Sequence, residues 1–204
     1  MDPSDGQSKV VDKLFKQKTH GVFVECGAYD GEFLSNTIFL ERFRAWTGLL
    51  IEPEPSNFAA LKKRHRKALI SNSCLSSKPH PSEVISVEYK HVKEGKAAVN
   101  AHMEAVGYVV HEEVPDLSGN PSDVVYFILR QEHFLSETLD VKNISYDREI
   151  FGTGDVSYKI VQCFPFYTFL LATNITAIDY FSLDVEGQEL NVLKTIPWHQ
   201  VNIK

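Results

Sequence analysis

Two short apolar runs, each ending in a carboxylate, constrain the fold of this chain more than any other feature. The first is Val22-Phe23-Val24-Glu25, followed at once by Cys26-Gly27-Ala28-Tyr29-Asp30-Gly31. The second, Leu49-Leu50-Ile51, ends on Glu52, 21 residues after Gly31. Runs this short, apolar and β-branched, bounded by glycine or proline, read as buried strands. The spacing predicts strands at Gly21–Cys26 and Thr47–Glu52 and helices at Phe33–Arg42 and Ser56–Arg66. A third strand is expected at Ala68–Cys74 and a short leading helix at Val10–Lys16. Alternating strands and helices at this interval give a parallel sheet with right-handed crossovers.

The same rhythm returns near the end. Lys159–Gln162 is ordered, Phe164–Ala172 reads as a helix, Ala177–Asp184 as a strand and Gln188–Thr195 as a helix. Pro197-Trp198 stops that helix, and Val201–Lys204 begins another strand as the sequence ends. Between the two blocks the pattern fails. Val84–His91 alternates like a strand, but from Val92 to Tyr158 only Val124–Arg130 suggests one, and Lys93–Lys96, Pro115–Asp123 and Gly152–Asp155 are turn-rich. The expectation is one α/β domain over residues 1–204, with a Rossmann-like, doubly wound, mostly parallel sheet. Its core is 8–91 and 159–204, with an irregular, partly mobile insertion at 92–158.

Composition removes several function classes. A formal charge of −6 leaves no cation excess for neutralising a nucleic-acid backbone, and Lys62–Lys67 reads as a solvated helix end. No apolar run reaches the ~18 residues of a membrane span, and Met1–Gln17 is no secretory signal. A soluble protein is expected, cytoplasmic if a free enzyme. The three cysteines have no metal-ligand spacing, and Cys26 reads as a small core residue rather than a disulfide partner. Asn143-Ile144-Ser145 and Asn174-Ile175-Thr176 are N-glycosylation sequons. Chance supplies about one in such a composition, so two point only faintly to a lumen.

In a doubly wound sheet, ligands bind beyond the carboxyl ends of the strands. Glycine turns there usually serve nucleotides, and the acids narrow the choice. A phosphate calls for backbone N–H groups and cations, whereas S-adenosylmethionine carries an ammonium, a sulfonium and a ribose diol, which suit carboxylates. Glu25 and Gly27 are expected against the methionine end, with Gly27 and Gly31 allowing close backbone approach, and Ala28 is a further candidate cofactor-binding residue. Glu52 is expected to accept from the ribose hydroxyls. Asn72, Ser73 and Cys74 would border the adenine. Asp184 and Glu186 are the candidate catalytic pair, orienting the acceptor or taking its proton. An NAD site is disfavoured: the Gly-x-Gly-x-x-Gly fingerprint is absent, Ala28 stands at its second glycine, and Glu25 would repel a pyrophosphate. No metal is expected, since Asp184 and Glu186 lack a third ligand. Singly, each feature is common as an ordinary turn or cap; their order along the chain carries the reading.

These segments resemble the FkbM-domain methyltransferases, a class I S-adenosylmethionine-dependent group acting on oxygen of small molecules and sugars. Glu25–Ala28 resembles the first motif, Ile51–Glu54 the second-strand acid, and Leu183–Leu190 the late signature. The likeness covers Gly21–Cys74 and about Val161–Lys204. Glu25–Thr37, Cys163–Tyr167 and Asp179–Gly187 are similar to the arthropod Star-like proteins, which carry such a domain. The resemblance implies S-adenosylmethionine as cofactor and a small-molecule or glycan hydroxyl as acceptor. A Star-like protein instead implies a non-catalytic role in vesicle-mediated trafficking through endoplasmic reticulum, Golgi and endosomes, with a secretory cargo protein as partner and a membrane anchor. A full domain of this type runs through further strands, so the resemblance implies C-terminal truncation.

Overall fold

The computed structural model describes residues 3–90, 108–115, 123–130, 156–185 and 188–204. The expected site residue Glu186, the Asn143 sequon and the turn-rich stretches Lys93–Lys96 and Gly152–Asp155 lie outside the described residues, as does most of Pro115–Asp123. The chain divides into two compact units, residues 1–82 with 161–204, and residues 83–160.

In the first unit the elements are α1 (Gln7–Leu14), β1 (Val22–Cys26), α2 (Ile38–Arg44), β2 (Thr47–Ile51), α3 (Pro55–Lys63), β3 (Leu69–Ser71) and β4 (Cys74–Leu75). Three more strands follow, β5 (Ser82–Lys90), β6 (Tyr108–Pro115) and β7 (Asp123–Arg130). The chain then forms β8 (Val156–Phe164), α4 (Phe166–Thr173), β9 (Tyr180–Leu183) and α5 (Glu189–Thr195). The central sheet has the order β3-β2-β1-β9, all parallel. An isolated parallel bridge pairs Ile178, just before β9, with Ile203. This is the Rossmann-like arrangement expected.

Alternate strand residues face opposite cores, which is why both strands are apolar almost throughout. Val24, Cys26, Leu49 and Ile51 pack with Phe166, Phe169, Leu170, Val192 and Ile196 from α4 and beyond. Phe23 and Leu50 pack on the other face with Val11, Leu40 and Leu61 from α1, α2 and α3. Helices therefore cover both faces. Trp46 is fully buried, donates its indole N–H to the Lys18 carbonyl at 2.7 Å, and meets Phe15 edge-on.

Three expectations need correction. The second helix starts at Ile38, not Phe33, because residues 35–37 are drawn inward as hydrogen-bond donors to Glu25; Phe33 and Leu34 are exposed. The third strand is split: β3 pairs with β2, whereas Cys74 and Leu75 leave that sheet to pair with β8. The register sets Cys74 opposite Cys163, and a disulfide joins them across a sequence separation of 89. Cys26 is free and buried, as expected. In the second unit the stretch read as irregular contains β6 as well as β7. Here β7 pairs antiparallel with β5 on one side and β6 on the other.

Candidate functional site

The sheet register builds the site. Cys26 is the Cα partner of both Ile51 and Leu183, and Ile51 is the partner of Ser71. One residue further along each strand stand Gly27, Glu52, Asp184 and Asn72. They form a row along the carboxyl edge, stitched by backbone bonds. Gly27 N–H donates to Ile51 at 3.0 Å, Glu52 N–H to Ser71 at 3.0 Å, and Asp184 N–H to Cys26 at 3.2 Å. Gly27, Asn72 and Asp184 are exposed, so the row faces solvent. Four residues expected from sequence to share a site are thus brought together.

Gly27 is required there. Its φ is 78°, a left-handed conformation that side chains resist, and a Cβ at this position would overlap the Asp184 carbonyl. The glycine therefore allows the ends of β1 and β9 to close on each other. Gly31, also left-handed, leaves room for Leu61. Ala28 is buried in the second core with Leu50 and Leu61.

Glu52 is 3% exposed. One carboxylate oxygen accepts the Tyr29 N–H at 2.7 Å; the other accepts the Glu54 N–H at 2.9 Å and Asn57 Nδ2 at 3.4 Å. Burial raises its pKa to about 7, against the lowering effect of those three donors and with help from the charge of Glu54. A carboxylate has about four acceptor sites, so Glu52 keeps one beyond these bonds. Asn72 bridges backward, donating to the carbonyls of Glu52 and Pro53 at 3.0 Å each. The Ser73 hydroxyl meets that of Ser71 at 2.8 Å, and Cys74 is held in the disulfide.

Glu25 lies lower, at a paired position between Leu50 and Ser182. Its carboxylate accepts from Ser35 Oγ at 3.0 Å, from the Asn36 N–H at 2.8 Å and from Thr37 Oγ1. Burial pushes its pKa up despite these donors and nearby Arg66. Arg66 donates to the Gly31 carbonyl and to Ser35 and Thr37, and its Nε lies 3.1 Å from Glu41. Together these groups fix the loop between β1 and α2.

Several residues escape the sequence reading. Asp30 is capped by the Glu32 and Phe33 N–H groups and paired with Arg64; burial works to raise its pKa, but the Arg64 bond and these amides hold it low. Asn36 donates to Ser182 Oγ at 3.0 Å, and its Oδ1 is buried without a hydrogen-bond partner. Nothing in the sequence distinguishes these residues from ordinary loop polar residues. The acceptor-rich edge suits a ligand bearing a diol and cationic centres. The nearby cations do not offer themselves to a phosphate: Arg64 is committed to Asp30 and Glu32, and Arg66 to Glu41 and the loop.

Among curated proteins, none matches this chain. A solved structure of a Burkholderia thailandensis 1,6-didemethyltoxoflavin-N1-methyltransferase with bound 1,6-didemethyltoxoflavin and S-adenosylhomocysteine is a distant neighbour. It shows 11% identity over 63% of this chain and 78% of its own, with a TM-score of 0.24. The family described as the methyltransferase FkbM domain matches residues 25–204, from the strand that opens the site to the last residue. The chain belongs to the FkbM methyltransferase domain family.

Proposed function

We propose that this domain binds S-adenosylmethionine along the Gly27–Glu52–Asp184 edge and transfers its methyl group to an acceptor oxygen. The observation that carries the reading is the register that sets these residues and Asn72 in one row along the carboxyl edge. When bound, the cofactor supplies a methyl made electrophilic by its sulfonium. The chain's part is to align the reactants, which is where most of the acceleration in such a displacement lies.

Glu52 receives the ribose diol through its remaining acceptor site, with the Tyr29 amide holding the carboxylate in place. Gly27 keeps the β1 and β9 ends close enough for the methionine end to lie over them. Glu25 acts as a positioning residue, since its lone pairs hold Ser35, Asn36 and Thr37. Asn72 and Ser73 border the adenine. Asp184, exposed at the end of β9, orients the acceptor hydroxyl or takes its proton, with Glu186 as its companion. The acceptor is a small-molecule or glycan hydroxyl.

Calorimetry with S-adenosylmethionine tests the reading, with Glu52→Ala as control. Heat of binding that drops at least tenfold in affinity in the variant supports it. No heat from the intact protein, or an unchanged affinity in the variant, sinks it.

A second reading, a Star-like trafficking module that keeps the fold without turnover, is favoured by one observation. Cys74–Cys163 is a disulfide, and such bonds persist in oxidising compartments. Methyl transfer by the purified protein would count against it. No helix among the described residues is long and apolar enough to cross a membrane.

A further inference from the structure

Two features away from the carboxyl edge point to one modification. The first is the Cys74–Cys163 disulfide, set between register partners of β4 and β8. Where thiol reductants dominate, such bonds are rare. The second is Asn174-Ile175-Thr176, an acceptor sequence for N-linked glycans. Neither feature depends on the other.

The structure places that tripeptide where a glycan has room. Asn174 caps the C-terminus of α4 with φ 55° and ψ 31°, and its N–H closes the helix on the Leu170 and Leu171 carbonyls. This left-handed turn, which asparagine adopts more readily than most residues, carries the chain away from the helix. Asn174 and Thr176 are exposed, while Ile175 between them packs against the core formed with α4. The acceptor amide and the hydroxyl two residues on therefore both face outward from an anchored segment. Asn174 also borders an open depression whose lining includes Thr47, Lys67, Thr173 and Thr176. Those hydroxyl and ammonium groups are suited to hydrogen-bonding a first sugar.

We propose that Asn174 carries an N-linked glycan, and that the domain matures in the oxidising lumen where the Cys74–Cys163 bond forms. In the transfer, the Asn174 carboxamide nitrogen attacks the anomeric carbon of an oligosaccharide carried on a lipid pyrophosphate. The new C–N bond replaces the C–O bond to the pyrophosphate. The lipid pyrophosphate leaves, and the amide proton passes to a base of the transferase. In the same compartment, a thiol oxidoreductase in its disulfide form accepts the two electrons and two protons of the Cys74 and Cys163 thiols.

The glycan stands at the end of the sheet where β1, β2 and β3 begin, since Val22, Thr47 and Leu69 share the depression with Asn174. The Gly27–Glu52–Asp184 row lies at the opposite ends of those strands. A glycan at Asn174 therefore leaves the cofactor edge open, and the inference stands whether or not a methyl group is transferred.

The test uses the protein isolated from its own cells. Enzymatic deglycosylation in heavy-oxygen water converts a glycosylated asparagine to labelled aspartate, and peptide mapping reads it. The expected result is labelled aspartate at 174, with the Cys74 and Cys163 peptides joined before reduction. Unlabelled Asn174 throughout the isolated protein would overturn the proposal. Variants re-expressed in the same cells separate sequon chemistry from folding: Thr176→Ser should keep the labelled peptide and Thr176→Ala should lose it at least tenfold. Equal labelling in the two would also overturn the proposal.

Discussion

The two edges of the β3-β2-β1-β9 sheet each bury a carboxylate, and they treat it in opposite ways. At the amino edge, Asp179 is 5% exposed and accepts from Lys18 Nζ at 2.7 Å, Lys204 Nζ at 2.8 Å and the Val22 N–H at 3.0 Å. Burial works to raise its pKa, but those donors win and hold it below the usual carboxylate range. At the carboxyl edge, Glu52 is buried as deeply and has only neutral donors, and its pKa rises to about 7. One carboxylate is neutralised and stitches the chain together. The other is held at an electrostatic cost, which accords with the ligand role proposed for it.

The largest expected effect comes from closing the carboxyl edge. Gly27→Ala puts a Cβ into the Asp184 carbonyl at a positive φ. Strain and overpacking together should cost about 4 kcal/mol, read as a lower midpoint in urea unfolding. A loss below about 1 kcal/mol would mean that the β1 and β9 ends are not held as closely as they stand here.

Glu52→Gln should change how stability depends on pH. Raising a buried carboxyl from 4.5 to about 7 corresponds to about 3 kcal/mol. Because the folded state binds this proton more tightly than the unfolded chain, the associated stability is fully present below pH 4.5. It declines as pH rises towards about 7 and is level above that. The amide removes this dependence, so the variant's stability should stay level from pH 4.5 to about 8, where the parent's falls by about 3 kcal/mol. Its NH2 must face the Tyr29 or Glu54 N–H, which costs about 1–3 kcal/mol at every pH, and S-adenosylmethionine should bind at least tenfold more weakly. Equal slopes of stability against pH in parent and variant would remove the contrast between the edges.

How much of this was legible in the sequence follows the same division. The carboxyl edge is written locally. Glu52 and Gly27 stand at the ends of apolar runs, and a parallel register needs only equal strand lengths to align them. The helix after β1 was misplaced because its start is set by Glu25, ten residues before Ser35, and no period records that capture. Phe33 and Leu34 look like a helix face, yet they are exposed in a loop. The amino edge was not legible at all. Asp179 meets Lys18 across 161 residues and Lys204 across 25, and such pairings follow from topology rather than pattern. Cys74 and Cys163 were hidden in the same way, by an odd cysteine count and a separation of 89.

Asp179→Ala should therefore cost more than an exposed ion pair. It strands the Val22 N–H at the head of β1, and an unmet buried donor costs about 1–3 kcal/mol. The two lysines, 35% and 51% exposed, add little after solvent screening. The expected loss is about 2 kcal/mol at pH 7. The pKa of Asp179 is depressed in the fold, so its contribution is complete above the unfolded value near 3.8 and lost as pH falls through the lower folded value. The Asp179 parent and variant should thus draw together in stability only in strong acid, whereas the gap between the Glu52 parent and variant should change between pH 4.5 and about 7.

The smallest expected effect isolates the charges from the backbone bond. Lys18→Met keeps the aliphatic stem, leaves Asp179 its Val22 and Lys204 donors, and removes one ammonium. A half-buried pair of this kind is worth less than about 1 kcal/mol, and the loss should shrink further in 1 M salt, where the Debye length falls to about 3 Å. If Lys18→Met instead matched Asp179→Ala, the amino edge would be held by charge rather than by the Val22 amide. The cations would then explain the depressed Asp179 by themselves. A small, salt-sensitive loss would leave the backbone amide as the main tie, with the lysines setting the protonation state of Asp179 rather than the stability of the edge.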